Sequence, residues 1–160
     1  MTEYFKALSD AEYERLKDSI ALITVYIAGA DGSIENDELV WADKVTKIRA
    51  YNLPEGLKGF YKEVGIEFQD KVDHFMNTLP KEVEQRNVVA EEELAKLNPI
   101  LAKLNPKLGS RLYNSLLSFA KHVAKASGGL FGFFSIGPKE MKLLDLDMIE
   151  PIEYDEEEGE

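Results

Sequence analysis

Asp31, Glu35, Asp37 and Glu38 place four carboxylates within eight residues, with no basic side chain among them. Oxygen ligands at that density suit hard divalent cations such as calcium or magnesium. The run Ala30-Asp31-Gly32-Ser33-Ile34-Glu35-Asn36-Asp37-Glu38 ends like a calcium loop. It has an acid, a glycine for the sharp turn, an isoleucine to pack inward, and a glutamate placed to chelate from the following helix. Aligned as a full EF-hand, however, the first and third ligand positions fall on Ile27 and Gly29, which offer no side-chain oxygen. A standard high-affinity loop is not expected. Three readings stay open: a helix stop at Asp31-Gly32 followed by a cap from Asn36, Asp37 or Glu38; a divalent-cation site; or an acidic docking surface.

Other residues with chemical potential are more isolated. His74 and His122 lie on separate expected helices, with no His-Glu-x-x-His pairing and no Gly-x-Ser-x-Gly elbow in the chain. Both read as surface or boundary residues. The absence of cysteine excludes disulfides, thiolate metal sites and thiol catalysis. Gly132-x-x-x-x-Gly137-Pro138-Lys139 fails as a phosphate loop, because a proline intervenes, Glu140 stands where a hydroxyl residue is needed, and no strand precedes it. Trp41 reads as core, and Glu91-Glu92-Glu93 as a solvated helix face. The Gly128–Gly137 segment, rich in glycine and in Phe131, Phe133 and Phe134, is expected to fold back over the core. Exposure to a partner or a membrane interface is its alternative.

The elements that must carry these residues are helical. Tyr13, Leu16, Ile20, Ile23, Ile27 and Ala30 recur every three or four positions, after a Ser9 or Asp10 cap. A second helix is expected through Leu39, Trp41, Val45 and Ile48. A third carries Leu57, Phe60, Tyr61, Val64, Phe68, Val72, Phe75 and Leu79 up to Pro80. Residues 81–104 read as a charged helix and a short one, with the Asn98-Pro99 and Asn105-Pro106 pairs as caps. A strong helix follows through Leu108, Leu112, Leu116, Phe119 and Val123, and a last one through Met141, Leu144 and Met148. The architecture predicted is all-α, a bundle of six or seven helices forming one domain over residues 1–152.

The turn itself resembles the TerB-like tellurite-resistance family, on Ala28, Ala30, Asp31, Gly32, Ile34 and Glu38. That resemblance implies a compact helical bundle associated with stress responses, without catalysis, whose acidic residues hold a divalent metal. It also implies an approximate internal duplication. Ser33-Ile34-x-x-x-Glu38 is echoed by Ser135-Ile136-x-x-x-Glu140, although Ser127-Gly128 replaces the acidic half of the turn. The metal ligands expected on this basis are Asp31, Glu35, Asp37 and Glu38, with Glu140 contributing from the second copy.

Composition sets the remaining bounds. The 160 residues carry a net charge of −11, and the six acids of residues 153–160 account for more than half of it, leaving −5 for residues 1–152. That terminal run reads as a disordered acidic tail. An acidic chain repels phosphate backbones, so nucleic acid is not an expected partner. The start lacks signal-peptide design and no apolar run approaches the roughly 20 residues of a membrane span, so the expectation is a cytoplasmic protein without membrane contact. A protein partner is expected. The function read from sequence is a non-enzymatic, stress-associated module with a possible calcium or magnesium site. The alternatives are a metal-free interaction or scaffold domain, using the acidic surface or the glycine- and phenylalanine-rich loop, and an enzyme built on paired carboxylates.

Overall fold

A computed structural model describes residues 3–30, 36–53, 55–127 and 142–154. After a 3-10 turn at Glu3–Phe5 come α1 (Asp10–Ala28), α2 (Asn36–Asn52), α3 (Glu55–Thr78), α4 (Val83–Ala95), α5 (Leu97–Leu101) and α6 (Pro106–Ser127). Among the described residues there is no strand, and the fold is all-α. Five of these helices are 13 residues or longer; α5 is a five-residue turn of helix.

The core is organised by α1. Ser9 caps it through a reciprocal capping box, its hydroxyl accepting from the Glu12 amide at 3.1 Å while Glu12 accepts from the Ser9 amide at 2.9 Å. Beyond Asp18 the sequence is almost entirely apolar, and residues 19–28 are all buried. A helix apolar on every side must be surrounded. Accordingly α1 packs against α2, α3, α4, α5 and α6. Its two aliphatic hydroxyls, at Ser19 and Thr24, are satisfied locally, donating to the Leu16 and Ile20 carbonyls at 2.6 and 2.8 Å. The single stripe expected from Tyr13 to Ala30 therefore understates how much of this helix is core.

α3 buries the expected stripe from Leu57 to Val72 against α1 and α2, and runs unbroken through Gly59 and Gly65 to Thr78. Phe5, Tyr13, Phe60 and Tyr61 form a chain of tilted and edge-on rings, with centroids 5.2 to 6.2 Å apart. α6 buries Leu108, Leu112, Leu116, Phe119 and Val123 as its spacing requires. Asn105 caps it, accepting from the Lys107 amide at 2.9 Å, with Pro106 as its first residue.

Four expectations need correction. Asn98 is not a cap, since α5 begins at Leu97; it reaches across to the C-terminal segment. Leu144 and Met148 are not helical: residues 143–149 run in turns, with Leu146 at φ 45°, while Leu144, Leu146 and Ile149 plug into the core. Glu91 and Glu93 are not merely solvated. Glu91 accepts from the Tyr26 hydroxyl at 2.7 Å and Glu93 pairs with Arg15 at 2.9 Å, so both join α4 to α1. Trp41 is 38% exposed, outside the core. The Gly128–Gly137 loop with its three phenylalanines, the Ser135–Glu140 half of the duplication, and tail residues 155–160 lie outside the described residues.

Candidate functional site

α2 crosses α6 with Ala42, Val45, Thr46 and Arg49 turned inward. Arg49 stands where the helical period calls for an apolar residue, and only 8% of it is exposed. Its Nη1 donates to the Tyr61 hydroxyl at 2.9 Å and to the Ser115 carbonyl at 2.7 Å; its Nη2 donates to Ser118 Oγ at 2.8 Å. The guanidinium also sits 5.1 Å from the Tyr61 ring centre and 5.5 Å from that of Phe119. The hydrogen bonds continue from Tyr61 to Ser115 Oγ at 3.0 Å, and from that hydroxyl to the Leu112 carbonyl at 2.8 Å. Every one of these partners is neutral. Among the described residues no carboxylate meets this buried cation, which is an uncommon arrangement.

Arg49 forms part of the wall of a groove of about 500 Å³ between α2, the start of α3 and α6. Trp41, Val45 and Ile48 form its α2 side, and Leu53 and Leu57 its floor. From α6 come Arg111, Asn114, Ser115, Ser118 and His122. Trp41 and Ile48 keep 38% and 48% of their surfaces exposed at the rim. In a chain with 30 acidic and 19 basic residues, no described carboxylate lines this groove. His122 is held below its usual range by burial first, and then by the positive charges of Arg49 and Lys125. Burial likewise pushes the Tyr61 phenol up, although Arg49 and Ser115 oppose the shift.

A second concavity, of about 370 Å³, lies between α1, α3 and α4 and has the opposite character. There Lys71 meets Asp18 at 2.6 Å, Glu67 at 3.3 Å and Glu14 at 3.4 Å, while Lys17 pairs with Glu14 at 2.7 Å. Burial lowers the Lys71 ammonium, but the hydrogen bond and charge of Asp18 and the charge of Glu14 outweigh it and hold the group above its ordinary value. Here each charge is answered by its neighbours. The cluster joins helices and leaves nothing for a ligand to satisfy.

The carboxylates expected from the sequence to bind a metal are described only in part. Asp31, Glu35 and Glu140 lie outside the described residues, and Asp37 and Glu38 are placed only as backbone in the first turn of α2. Among the described residues no cluster of three or more histidine or acidic side chains could hold a metal ion. At the α1 end of the acidic turn, Arg86, itself buried, donates from Nη2 to the Gly29 carbonyl at 2.6 Å. Both histidines are surface or boundary residues, as expected: His74 is exposed and His122 half-buried.

Sequence pattern conceals the groove because its signal is a polar stripe beside an apolar one. On α6, Arg111, Ser115, Ser118 and His122 each precede a core residue, at Leu112, Leu116, Phe119 and Val123. A helix face that is polar yet adjacent to the core points to a boundary groove, and Arg49 on α2 is its counterpart. A scan against protein-family models finds no match to the chain, nor do searches of curated proteins and of solved structures. Among the described residues, no helix is long and apolar enough to cross a membrane.

Proposed function

We propose that this chain is a non-enzymatic binding module, of the TerB-like, stress-associated kind its acidic turn resembles, and that it holds a ligand in the α2–α3–α6 groove. The observation that carries this reading is Arg49, a buried cation with neutral partners only, on the wall of a ligand-sized concavity. Binding rather than catalysis fits the same residues. Ser118 Oγ is engaged by Arg49, and no hydrogen bond among the described residues links it to His122, so the hydroxyl lacks the adjacent base a nucleophile needs.

Trp41 is the only tryptophan of the chain and stands at the rim, so its emission reports on the groove. A screen of small organic compounds followed by Trp41 emission and thermal shift should yield ligands that are recovered chemically unchanged. A ligand that is converted would make the protein an enzyme. A screen in which no compound perturbs Trp41 would remove the groove as the binding surface.

A divalent cation at Asp31, Glu35, Asp37 and Glu38, with Glu140, is a second reading. It is favoured by the α1 and α2 boundaries, which leave the acidic run joining the carbonyl end of one helix to the start of the next. Arg86 at the Gly29 carbonyl already supplies positive charge there, and the first and third ligands of a full loop are missing. Affinity should therefore be weak, on the order of 10⁻⁴ to 10⁻³ M. Calorimetry with calcium and magnesium checks this, and no heat at tens of millimolar would leave the turn as helix punctuation.

A further inference from the structure

Burying a guanidinium among neutral groups costs the fold desolvation energy, with no opposite charge among the described residues to offset it. Each acceptor that Arg49 serves has another partner or a view of the groove. The Tyr61 hydroxyl retains Ser115 Oγ, the Ser115 carbonyl lies within the continuous helix α6, and Ser118 Oγ stands at the groove wall. A guanidinium has five N–H donors. Nη1 uses two and Nη2 uses one, so Nε–H and the second Nη2–H have no protein acceptor among the described residues. Nε is not among the fully buried polar atoms that lack a partner, so it keeps some accessible surface, on a residue that lines the groove.

We propose that the groove is a site for a small organic carboxylate with an apolar body, whose two oxygens accept from Nε and Nη2 of Arg49 while the body lies along Trp41, Val45 and Ile48. The inference rests on the binding-module reading above and adds the chemistry of the ligand. Three observations select that chemistry. Two vacant donors on one cation match the two oxygens of a carboxylate, whereas a phosphate dianion brings three oxygens and a second charge. The α2 wall and the floor are apolar and aromatic, so a bare inorganic anion would leave them uncovered. About 500 Å³ is the scale of a small-molecule site rather than of a protein interface. The charge contrast adds selectivity: a molecule of charge −11 repels anions over its surface and accepts one where no described carboxylate lines the wall.

The test uses the full chain with octanoate, 1-octanol and octyl phosphate, read by Trp41 emission and by the NMR signal of the Arg49 Nε–H. Octanoate should bind at least about 10-fold more tightly than octanol, the ratio expected of a charge-assisted pair that is partly desolvated. It should shift the Nε–H resonance, which octanol should leave in place. Arg49→Met should erase the preference for acid over alcohol, while Ile48→Ala should weaken both ligands alike. If Arg49→Met fails to fold, the Nε–H shift in the parent protein decides. Equal affinity for octanoate and octanol would overturn the carboxylate site and leave a merely apolar groove, with the binding-module reading intact. Tighter binding of octyl phosphate, or an acid preference that survives Arg49→Met, would overturn it as well. If none of the three compounds perturbs Trp41, and the wider screen is also silent, both readings fall together.

Discussion

Arg49 and Lys71 are both long cations drawn beneath the surface by helices, but their surroundings differ in kind. Lys71 has three carboxylates within 3.4 Å; Arg49 has hydroxyls, a carbonyl and ring faces. Removing a cation of the first sort strands negative charge, whereas removing one of the second sort strands none. Replacing a buried ionic group by an apolar one of similar volume is often neutral or stabilising. Arg49→Met should therefore leave the melting temperature unchanged or raise it, by up to about 4 °C for each kcal/mol gained in a chain of this size. Calorimetry decides, and a fall of more than about 4 °C would make Arg49 a structural keystone and weaken the case for a ligand. His122 gives an independent readout at the same scale. Burial, Arg49 and Lys125 all hold its imidazole below 6.5, so Arg49→Met should move its NMR titration upward. An unmoved midpoint would place Arg49's charge too far away to matter.

At the scale of elements, the C-terminal segment is the least regular part of the described chain and hangs on one side chain. Asn98 Nδ2 donates to the Met148 carbonyl at 2.9 Å, and Asn98 Oδ1 accepts from the Glu150 amide at 2.8 Å. These two bonds fix the turns that insert Leu144, Leu146 and Ile149 into the core. Asn98→Ala should cost about 0.5–1.5 kcal/mol, the net worth of a partly exposed hydrogen bond, and speed amide exchange over residues 146–150. Exchange that stays at the parent rate would mean the apolar plugs suffice alone. The sequence disclosed the neighbouring elements and not this one, for a physical reason. Helices α1, α3 and α6 announce themselves because core residues recur at 3.6-residue period over many turns, and local caps at Ser9 and Asn105 mark their starts. Leu144 and Met148 mimic that spacing across one turn only, and Asn98-Pro99 mimics the cap pattern of Asn105-Pro106. Both were settled by tertiary contacts 50 residues apart, which no local pattern encodes. The groove is of the same type: α2 and α6 each carry half of it. Trp41 looked like core because large aromatics usually are, and only the packing of α2 left its ring at a rim.

For the whole molecule, two electrostatic effects oppose each other as pH falls. Net charge shrinks from −11 towards zero at a pI near 4.7, which relieves self-repulsion and favours the compact state. Against this stand the carboxylates that clamp helices together. Glu14 is held below 4.5 chiefly by its hydrogen bond to Lys17, with help from the charge of Lys71; Glu93 is held down by its bond to Lys96 and then by Arg15. A carboxyl whose folded pKa is depressed contributes stability that is fully present above its unfolded value and is lost as pH falls through the folded one. Each pair is partly exposed and worth little alone, about 0–1 kcal/mol, but together they join α1 to α3 and α4. Relief of repulsion therefore dominates from pH 7 to about 5, and loss of the clamps dominates below about 4.5. The melting temperature should rise slightly on mild acidification, pass through a maximum near pH 5, and drop towards pH 3. Glu14→Gln with Glu93→Gln should lower the maximum and flatten the acid limb, since glutamine has no proton to take up. A melting temperature that keeps rising down to pH 3 would show that net repulsion, rather than the Lys71 and Arg15 clamps, governs how this bundle answers acid.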